Sequence, residues 1–186
     1  MMREYTLSFL EANIYSLLVY VPIIAGYFVP YGLLYGWTAF GTDILQALDN
    51  PLIFLAIIFI GIAVHEFIHG ISWWWMDDIP WEKIHFGFKW AVLTPYVHCP
   101  EPIEVSNYRW GVAMPGIVLG ILPYLIALIS HNGWLLAFGL FFTLTASGDI
   151  LILWLLRNVR GGKKVQDHPD LVGCRVVDEN LNVTTP

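Results

Sequence analysis

Four runs of about 20 mostly apolar residues constrain this chain more than any other feature of its sequence. They lie at about 14–35, 52–75, 112–130 and 134–156. A helix needs about 20 apolar residues to cross the roughly 30 Å hydrocarbon core of a bilayer. With 57% hydrophobic and 13% charged residues, the chain lies outside the range of soluble globular domains. We therefore expect an all-α integral membrane protein with four transmembrane helices, in a single domain that covers residues 1–186.

The nine basic residues occur in only three of the five segments outside these runs. They are Arg3, Lys83, Lys89, Arg109, Arg157, Arg160, Lys163, Lys164 and Arg175. By the positive-inside rule, both termini and the segment between the second and third runs are cytoplasmic. We expect a multi-pass protein of a prokaryotic cytoplasmic membrane, with residues 161–186 as a poorly ordered cytoplasmic tail.

Residues 81–104 do not have the pattern of a helix. Ile84, Phe86 and Phe88 alternate with more polar residues, and the extended run at 90–99 is interrupted by Pro95. Alternation of this kind is typical of a strand with one buried face. We predict a small β-hairpin inserted between the second and third spans, on the cytoplasmic side of the membrane.

Charge and cysteine content exclude some classes of partner. The net charge is −6, and no basic patch with interleaved aromatic residues indicates a nucleic acid partner. Cys99 and Cys174 both fall on the predicted cytoplasmic side, where thiols stay reduced, so we expect no disulfide between them. The expected partners are the lipid bilayer and a membrane protein or peptide substrate, and the oligomeric state is left open.

The second apolar run contains the sequence His65-Glu66-Phe67-Ile68-His69, an HExxH motif. Two histidines four residues apart share one face of a helix, so both imidazoles can reach one metal ion, and the glutamate beside them is a candidate base. An ionisable residue near the bilayer centre costs about 2.5–3.5 kcal/mol on insertion scales, so three in five positions indicate a function. The alternative is a buried histidine pair that is hydrogen-bonded to neighbouring helices.

A catalytic zinc site usually has three protein ligands, and HExxH supplies two. The extended motif with a third histidine six residues later is absent, because that position is Trp75. At about 1.5 Å per residue, His65 and His69 lie roughly 20 and 25 Å from the outer end of their span, and Asp149 lies about 22 Å along the parallel fourth span. Asp149 is therefore the preferred third ligand. Alternatively, Asp149 does not bind the metal and only orients one of the histidines. His98 is the rival third ligand, and its own alternative is a histidine at the protein surface. A His, His, carboxylate site also accepts Fe, Co or Mn in place of Zn²⁺.

Several short patterns together resemble the membrane zincin peptidase family, which was long catalogued only as a domain of unknown function. They are the HExxH motif in the second span, His98-Cys99-xx-Pro102 after the hairpin, Arg109 and Pro115 entering the third span, and Gly148-Asp149 in the last. The resemblance covers residues of about 52–156. More distantly, the plan is similar to that of site-2-protease-type intramembrane metalloproteases, although Ser147-Gly148-Asp149-Ile150 departs from their Leu-Asp-Gly pattern.

The resemblance implies a zinc-dependent membrane-embedded metallopeptidase that hydrolyses peptide bonds within or near the membrane. Glu66 is then the general base, and His98, His85 and Arg109 are candidates for contacting the substrate or its oxyanion. The hairpin is suited to hold an extended substrate by strand addition. Two alternatives stay open: a catalytically inactive metal-binding scaffold or regulator, and a metal or solute transporter. Glu66 favours an enzyme, because a scaffold that only binds metal needs the two histidines alone.

Overall fold

Seven α-helices account for most of the residues that the structure, a computed structural model, describes, namely 3–90 and 94–177. They are α1 (Phe9–Tyr35), α2 (Ala39–Ala47), α3 (Pro51–Met76), α4 (Val105–Pro115), α5 (Leu122–Ser130), α6 (Gly133–Thr145) and α7 (Ser147–Leu156), with a π-helical segment at Gly116–Ile121 between α4 and α5. Helices α1, α3 and the continuous run Val105–Ser130 are each long and apolar enough to cross a membrane, and α6 with α7 forms a fourth, broken candidate. Each predicted apolar run falls inside one of these four helical stretches.

Local sequence signals account for several helix ends. At the start of α1, the hydroxyl of Ser8 accepts a hydrogen bond from the Glu11 backbone N–H, and the Glu11 carboxylate accepts one from the Ser8 backbone N–H. This reciprocal capping box satisfies two N–H groups that the first turn leaves unpaired. Helix α3 begins with Pro51, whose missing N–H is not needed in a first turn. The Asn132 side chain caps α6 by accepting from the Leu135 N–H.

The third candidate span contains a π-helical segment where it packs against the fourth. The π-helical segment follows Pro115, which has no N–H for the regular helical ladder. A Cβ added at Gly120 would lie 2.2 Å from Thr143 Oγ1, and one at Gly139 would lie 2.8 Å from the Gly120 carbonyl oxygen. The glycines therefore allow these two spans to approach closely, as small residues do in membrane helix pairs.

The fourth candidate span is interrupted at Ala146. Helices α6 and α7 meet there at an angle of 45°, and Ala146 has a ψ of 6°, outside the helical range. Ala146 is buried and packs against Gly116, where an added Cβ would lie 3.2 Å from the Ala146 Cβ. The break starts a new helix at Ser147, so Asp149 lies in the first turn of α7.

Six strands are present among the described residues, two in the predicted hairpin and four that the sequence did not predict, so the fold is mostly helical but not all-α outside the hairpin. They are β1 (Glu4–Leu7), β2 (His85–Lys89), β3 (Thr94–His98), β4 (Ile103–Glu104), β5 (Lys164–Asp167) and β6 (Val172–Val177). Four of them form an antiparallel sheet in the order β1-β6-β5-β4. This sheet joins the two ends of the chain to the segment before α4.

The expectation of a poorly ordered tail is wrong for residues 164–177, which contribute two strands to this sheet. Val165 and Cys174 are fully buried, and Val176 is nearly so, in a core that they share with Trp73 and Tyr108. Burial of these apolar side chains stabilises the strands against the loss of chain entropy. Residues 178–186 lie outside the described part of the chain.

The predicted hairpin is present. Strands β2 and β3 pair in antiparallel register, with His85 opposite His98 and Gly87 opposite Tyr96, and the connecting residues 91–93 lie outside the described residues. The hairpin packs on α3 at Gly70, where an added Cβ would lie 2.7 Å from Phe86 Cζ. It is therefore a fixed neighbour of the helix that carries the HExxH motif.

The connection between α1 and α3 is partly helical, whereas the sequence showed only a link without basic residues. Helix α2 occupies part of it, and Asp43 of α2 is buried. Its Oδ2 atom accepts a hydrogen bond of 2.5 Å from the Tyr31 hydroxyl and lies 2.9 Å from His131 Nε2. These contacts tie α2 to α1 and to the turn between α5 and α6.

Candidate metal centre

His65 and His69 lie on one face of α3, one helical turn apart. His65 is 8% exposed and His69 is 6% exposed, and their rings meet edge to face with centroids 4.9 Å apart. The helical repeat of 3.6 residues per turn brings positions i and i+4 together in this way. The local sequence alone therefore accounts for the histidine pair.

Asp149 approaches this pair from the first turn of α7. Its Oδ2 lies 3.2 Å from His65 Nε2, and its Oδ1 lies 3.5 Å from His69 Nε2. One ligand atom from each of the three residues lies within 4.8 Å of the others. The bend at Ala146 explains this approach, because it starts α7 immediately before Asp149.

The donor set fits a zinc ion. Ligand atoms about 2.0–2.1 Å from a tetrahedral zinc lie roughly 3.4 Å apart, and each histidine Nε2 has one of the two Asp149 oxygens at a comparable distance. Within the described residues, the buried Oδ2 of Asp149 accepts no hydrogen bond of normal geometry. An unsatisfied buried carboxylate oxygen is costly, and a cation shared with the two imidazoles removes that cost.

A backbone carbonyl on α4 orients His69. The Nδ1 atom of His69 lies 2.9 Å from the carbonyl oxygen of Gly111. Because a carbonyl only accepts, Nδ1 carries the proton of the neutral ring and Nε2 keeps its lone pair on the side of Asp149. Histidine ligands are commonly held in this way by a hydrogen bond from the second ring nitrogen.

Glu66 and the two histidines line a cavity of about 400 Å³. Its other walls come from β3, from α4, from the bend before α7 and from the turn between β5 and β6. Glu66 is half-buried, and the backbone of Val97 on β3 hydrogen-bonds to its carboxylate. A carboxylate beside the triad in an open cavity is able to exchange a proton with water there.

The other three predicted contact residues differ in position. His98 lines the cavity. The guanidinium of Arg109 donates to the carbonyl oxygens of Leu156 and Val159, and Arg109 is not among the cavity-lining residues. His85 is exposed on β2 and is also outside the lining. Of the three candidates for contacting a substrate, the geometry favours His98 alone.

The comparison with family models agrees with this arrangement. A sequence model of the family described as "Putative zincin peptidase" matches residues 58–163, more than half of the chain. The chain belongs to this family. The match includes both histidines, Glu66 and Asp149 and ends just before β5. No match was found among curated proteins or among solved structures. The family is thus shown by the sequence model, and the distant similarity to site-2 proteases stays a resemblance.

Three residues at this candidate metal site were not predicted from the sequence. Gly111 contributes a backbone oxygen, Tyr108 reaches the cavity from α4, and Asp167 reaches it from β5. A backbone acceptor has no side-chain signature, and Asp167 lies in a tail of ordinary polar composition. The one sequence pattern that includes any of these residues is the helical spacing of Tyr108, Gly111 and Val112, which places them on one face of a helix. That spacing is equally typical of residues that only pack against another helix.

Substitution of Gly111 by alanine is expected to lower both stability and zinc affinity. The added Cβ would lie 2.2 Å from Trp73 Nε1 and 2.4 Å from Trp73 Cδ1, so α3 and α4 must separate. Overpacking of this kind costs about 1–3 kcal/mol, and displacement of the carbonyl that orients His69 lowers metal affinity by about 10- to 100-fold. Thermal unfolding and zinc titration in detergent measure the two effects.

Gly26→Ala is the matched control, because it lies in another apolar helix and an added Cβ meets nothing within 4 Å. It is expected to be neutral or slightly stabilising. Unchanged zinc affinity in Gly111→Ala would show that the carbonyl contact does not support His69.

Proposed function

We propose that this protein is a zinc-dependent, membrane-embedded metallopeptidase that hydrolyses peptide bonds within or next to the membrane. The observation that carries the proposal is the cluster of the buried His65 and His69 with the partly buried Asp149, which has Glu66 beside it in an open cavity. Membership of a zincin peptidase family supports metallopeptidase chemistry in general.

The apolar surroundings support a site inside the membrane. The triad lies on α3 and on the broken span of α6 and α7, which are long and apolar enough to cross a bilayer. Ionisable residues in such segments are rare and usually face a functional cavity. His69 lies seven residues before the end of α3 at Met76, about 10 Å along the helix axis. We therefore assign the site to one half of the membrane and not to its surface.

Glu66 is proposed as the general base and then the general acid. His65, His69 and Asp149 would hold a zinc ion, which would supply Lewis-acid activation of a water molecule and of the scissile carbonyl. Glu66 accepts the proton of the attacking water and later donates it to the leaving amine, so the C–N bond breaks after the C–O bond has formed. His98 lines the same cavity, and its doubly protonated ring is the proposed donor to the oxyanion.

The substrate is proposed to bind as an extended strand along β3. A peptide in a helix hides its carbonyl groups, so it has to unwind before hydrolysis. In the described structure, β3 has a strand neighbour on one side only, which is β2. The N–H groups of Val97 and Cys99, two residues apart, contact Glu66 and Asp167, so this edge of β3 faces the cavity. We propose that an added strand pairs with this edge.

The proposed orientation has both termini and the hairpin on the cytoplasmic side of a prokaryotic cytoplasmic membrane. Eight of the nine basic residues fall in connecting segments that would then be cytoplasmic, and Arg109 lies in the second turn of α4 at the same end. The catalytic site consequently faces the cytoplasmic half of the bilayer. Labelling of single cysteines introduced at Asn132 and Arg160 checks this, and labelling of Asn132 from the cytoplasm would reverse the assignment.

Elemental analysis of the detergent-purified protein tests the function first. We expect close to one zinc per chain, together with hydrolysis of an apolar reporter peptide that stops on chelation and returns when zinc is restored. Folded protein without any bound metal would contradict the proposal. Bound zinc without hydrolysis of any peptide in a membrane library would favour a metal-binding scaffold instead.

A further inference from the structure

A second group of polar side chains lines the same cavity, apart from the metal triad. It consists of His98 at the end of β3, Tyr108 on α4 and Asp167 at the end of β5. The family model ends at residue 163, so Asp167 is a contribution of the tail beyond it. The tail therefore forms part of the wall of the cavity in addition to its place in the sheet.

Asp167 holds three elements together at this wall. Its Oδ1 accepts a hydrogen bond of 2.6 Å from the Tyr108 hydroxyl, and its Oδ2 accepts one of 3.0 Å from the Cys99 backbone N–H. The same Oδ2 lies 3.7 Å from His98 Nδ1. Burial raises the pKa of the Asp167 carboxyl, against the lowering effect of these two donors and of His98. A buried carboxylate is costly to ionise unless it is hydrogen-bonded. The two hydrogen bonds give the Asp167 carboxylate a defined position.

This position places a carboxylate beside the ring of His98. The side chain of His98 is 26% exposed and that of Asp167 only 11%, so the carboxylate is the more buried partner and the imidazole is the more accessible of these two cavity-lining groups. With the Nδ1 edge towards the acceptor Asp167, Nε2 is the nitrogen that remains to contact a bound molecule, and it donates to an oxyanion in the doubly protonated ring. A histidine without such a partner samples several ring orientations, which weakens any contact it makes.

We propose that Asp167 is a positioning residue that orients His98 towards the scissile carbonyl, so that the tail strands β5 and β6 complete the active cavity. This rests on the proposed peptidase function. Asp167 touches neither the substrate nor the metal triad, and its effect reaches the reaction through His98. The alternative is that Asp167 only anchors the tail to α4 and to the segment after β3.

Kinetics of a double-mutant cycle separate these two roles. His98→Gln is expected to lower kcat by about 100-fold, as loss of an oxyanion donor does, and Asp167→Asn by about 10-fold. In the His98→Gln background, Asp167→Asn is expected to change kcat by less than about twofold, because its route to the reaction is already removed. Equal effects of Asp167→Asn in both backgrounds would overturn the proposal.

Asp170→Asn is the matched control, since it removes an exposed carboxylate from the turn that follows Asp167. It is expected to leave kcat and KM unchanged. Zinc content is expected to be normal in every variant of the cycle. A loss of zinc in Asp167→Asn would assign Asp167 to the metal site and would also overturn the proposal.

Nitrogen-15 spectra of labelled histidines test the orientation without any catalysis. In the zinc-loaded wild type at a pH where the His98 ring is neutral, we expect its proton on Nδ1, and in Asp167→Asn a mixture of both tautomers. His98→Gln identifies the resonance. An unchanged tautomer in Asp167→Asn would contradict the positioning role. If the wild type hydrolyses no peptide, the proposed function fails, whereas the spectra still decide whether Asp167 orients His98.

Discussion

Replacing Glu66 with glutamine is expected to lower kcat for peptide hydrolysis by about 10²- to 10⁴-fold while zinc content stays the same. Glutamine has nearly the same size as glutamate but accepts no proton at neutral pH. Glu66 lines the cavity but is not one of the three residues whose ligand atoms converge. The measurement is kcat and zinc per chain on the same detergent-purified sample.

Glu82→Gln is the matched control, because Glu82 is exposed in the short 3₁₀ helix before the hairpin. It is expected to retain wild-type kcat. A Glu66→Gln variant with kcat within a few-fold of the wild type would show that another group is the base. Loss of zinc in the same variant would instead make Glu66 a ligand. If both expectations hold, Glu66→Gln becomes a trap for isolating bound substrates.

Replacing Asp149 with asparagine is expected to remove most of the bound zinc, and His65→Ala is expected to do the same. Both residues contribute atoms to the cluster within 4.8 Å, and a site with two remaining protein ligands holds zinc weakly. The loss in affinity should exceed the roughly 10- to 100-fold effect of removing a partner that only orients a ligand. Competition with a fluorescent zinc chelator measures it, and hydrolysis should fall in parallel.

His85→Ala and Asp49→Asn are the controls, because both side chains are exposed and neither lines the cavity. They are expected to keep full zinc content. Retention of zinc in Asp149→Asn together with its loss in His98→Ala would make His98 the third ligand. Among the described residues, the cluster of converging ligand atoms includes Asp149 and not His98. A modest loss of affinity in Asp149→Asn would mean that the carboxylate only orients the histidines.

The helical part of the fold was predictable because its causes are local. Each candidate span requires about 20 apolar residues in a row, and the four runs were recognisable from composition alone. The hairpin was recognisable because Ile84, Phe86 and Phe88 alternate with more polar residues, as strand residues with one buried face do. The histidine pair followed from the helical repeat, which brings His65 and His69 together wherever α3 lies.

The four-stranded sheet was not predictable from the same patterns. Its strands are two to six residues long, and β1 at the start of the chain pairs with β6 near the end. Short strands carry little periodicity, and the partner of a strand is set by packing that no local pattern encodes. The burial of Val165, Cys174 and Val176 in the core beneath α4 and α7 decides that these tail residues are strands.

The sequence by itself determined the apolar spans and the spacing of His65, Glu66 and His69, because hydrophobicity and the helical repeat act over a few turns of one chain segment. It also offered Asp149 by its matching depth. Only the tertiary structure decided that the break at Ala146 turns Asp149 towards the histidines and that the Gly111 carbonyl meets His69. Those contacts depend on how separate helices pack against one another, and packing depends on the shapes of side chains that are distant in sequence.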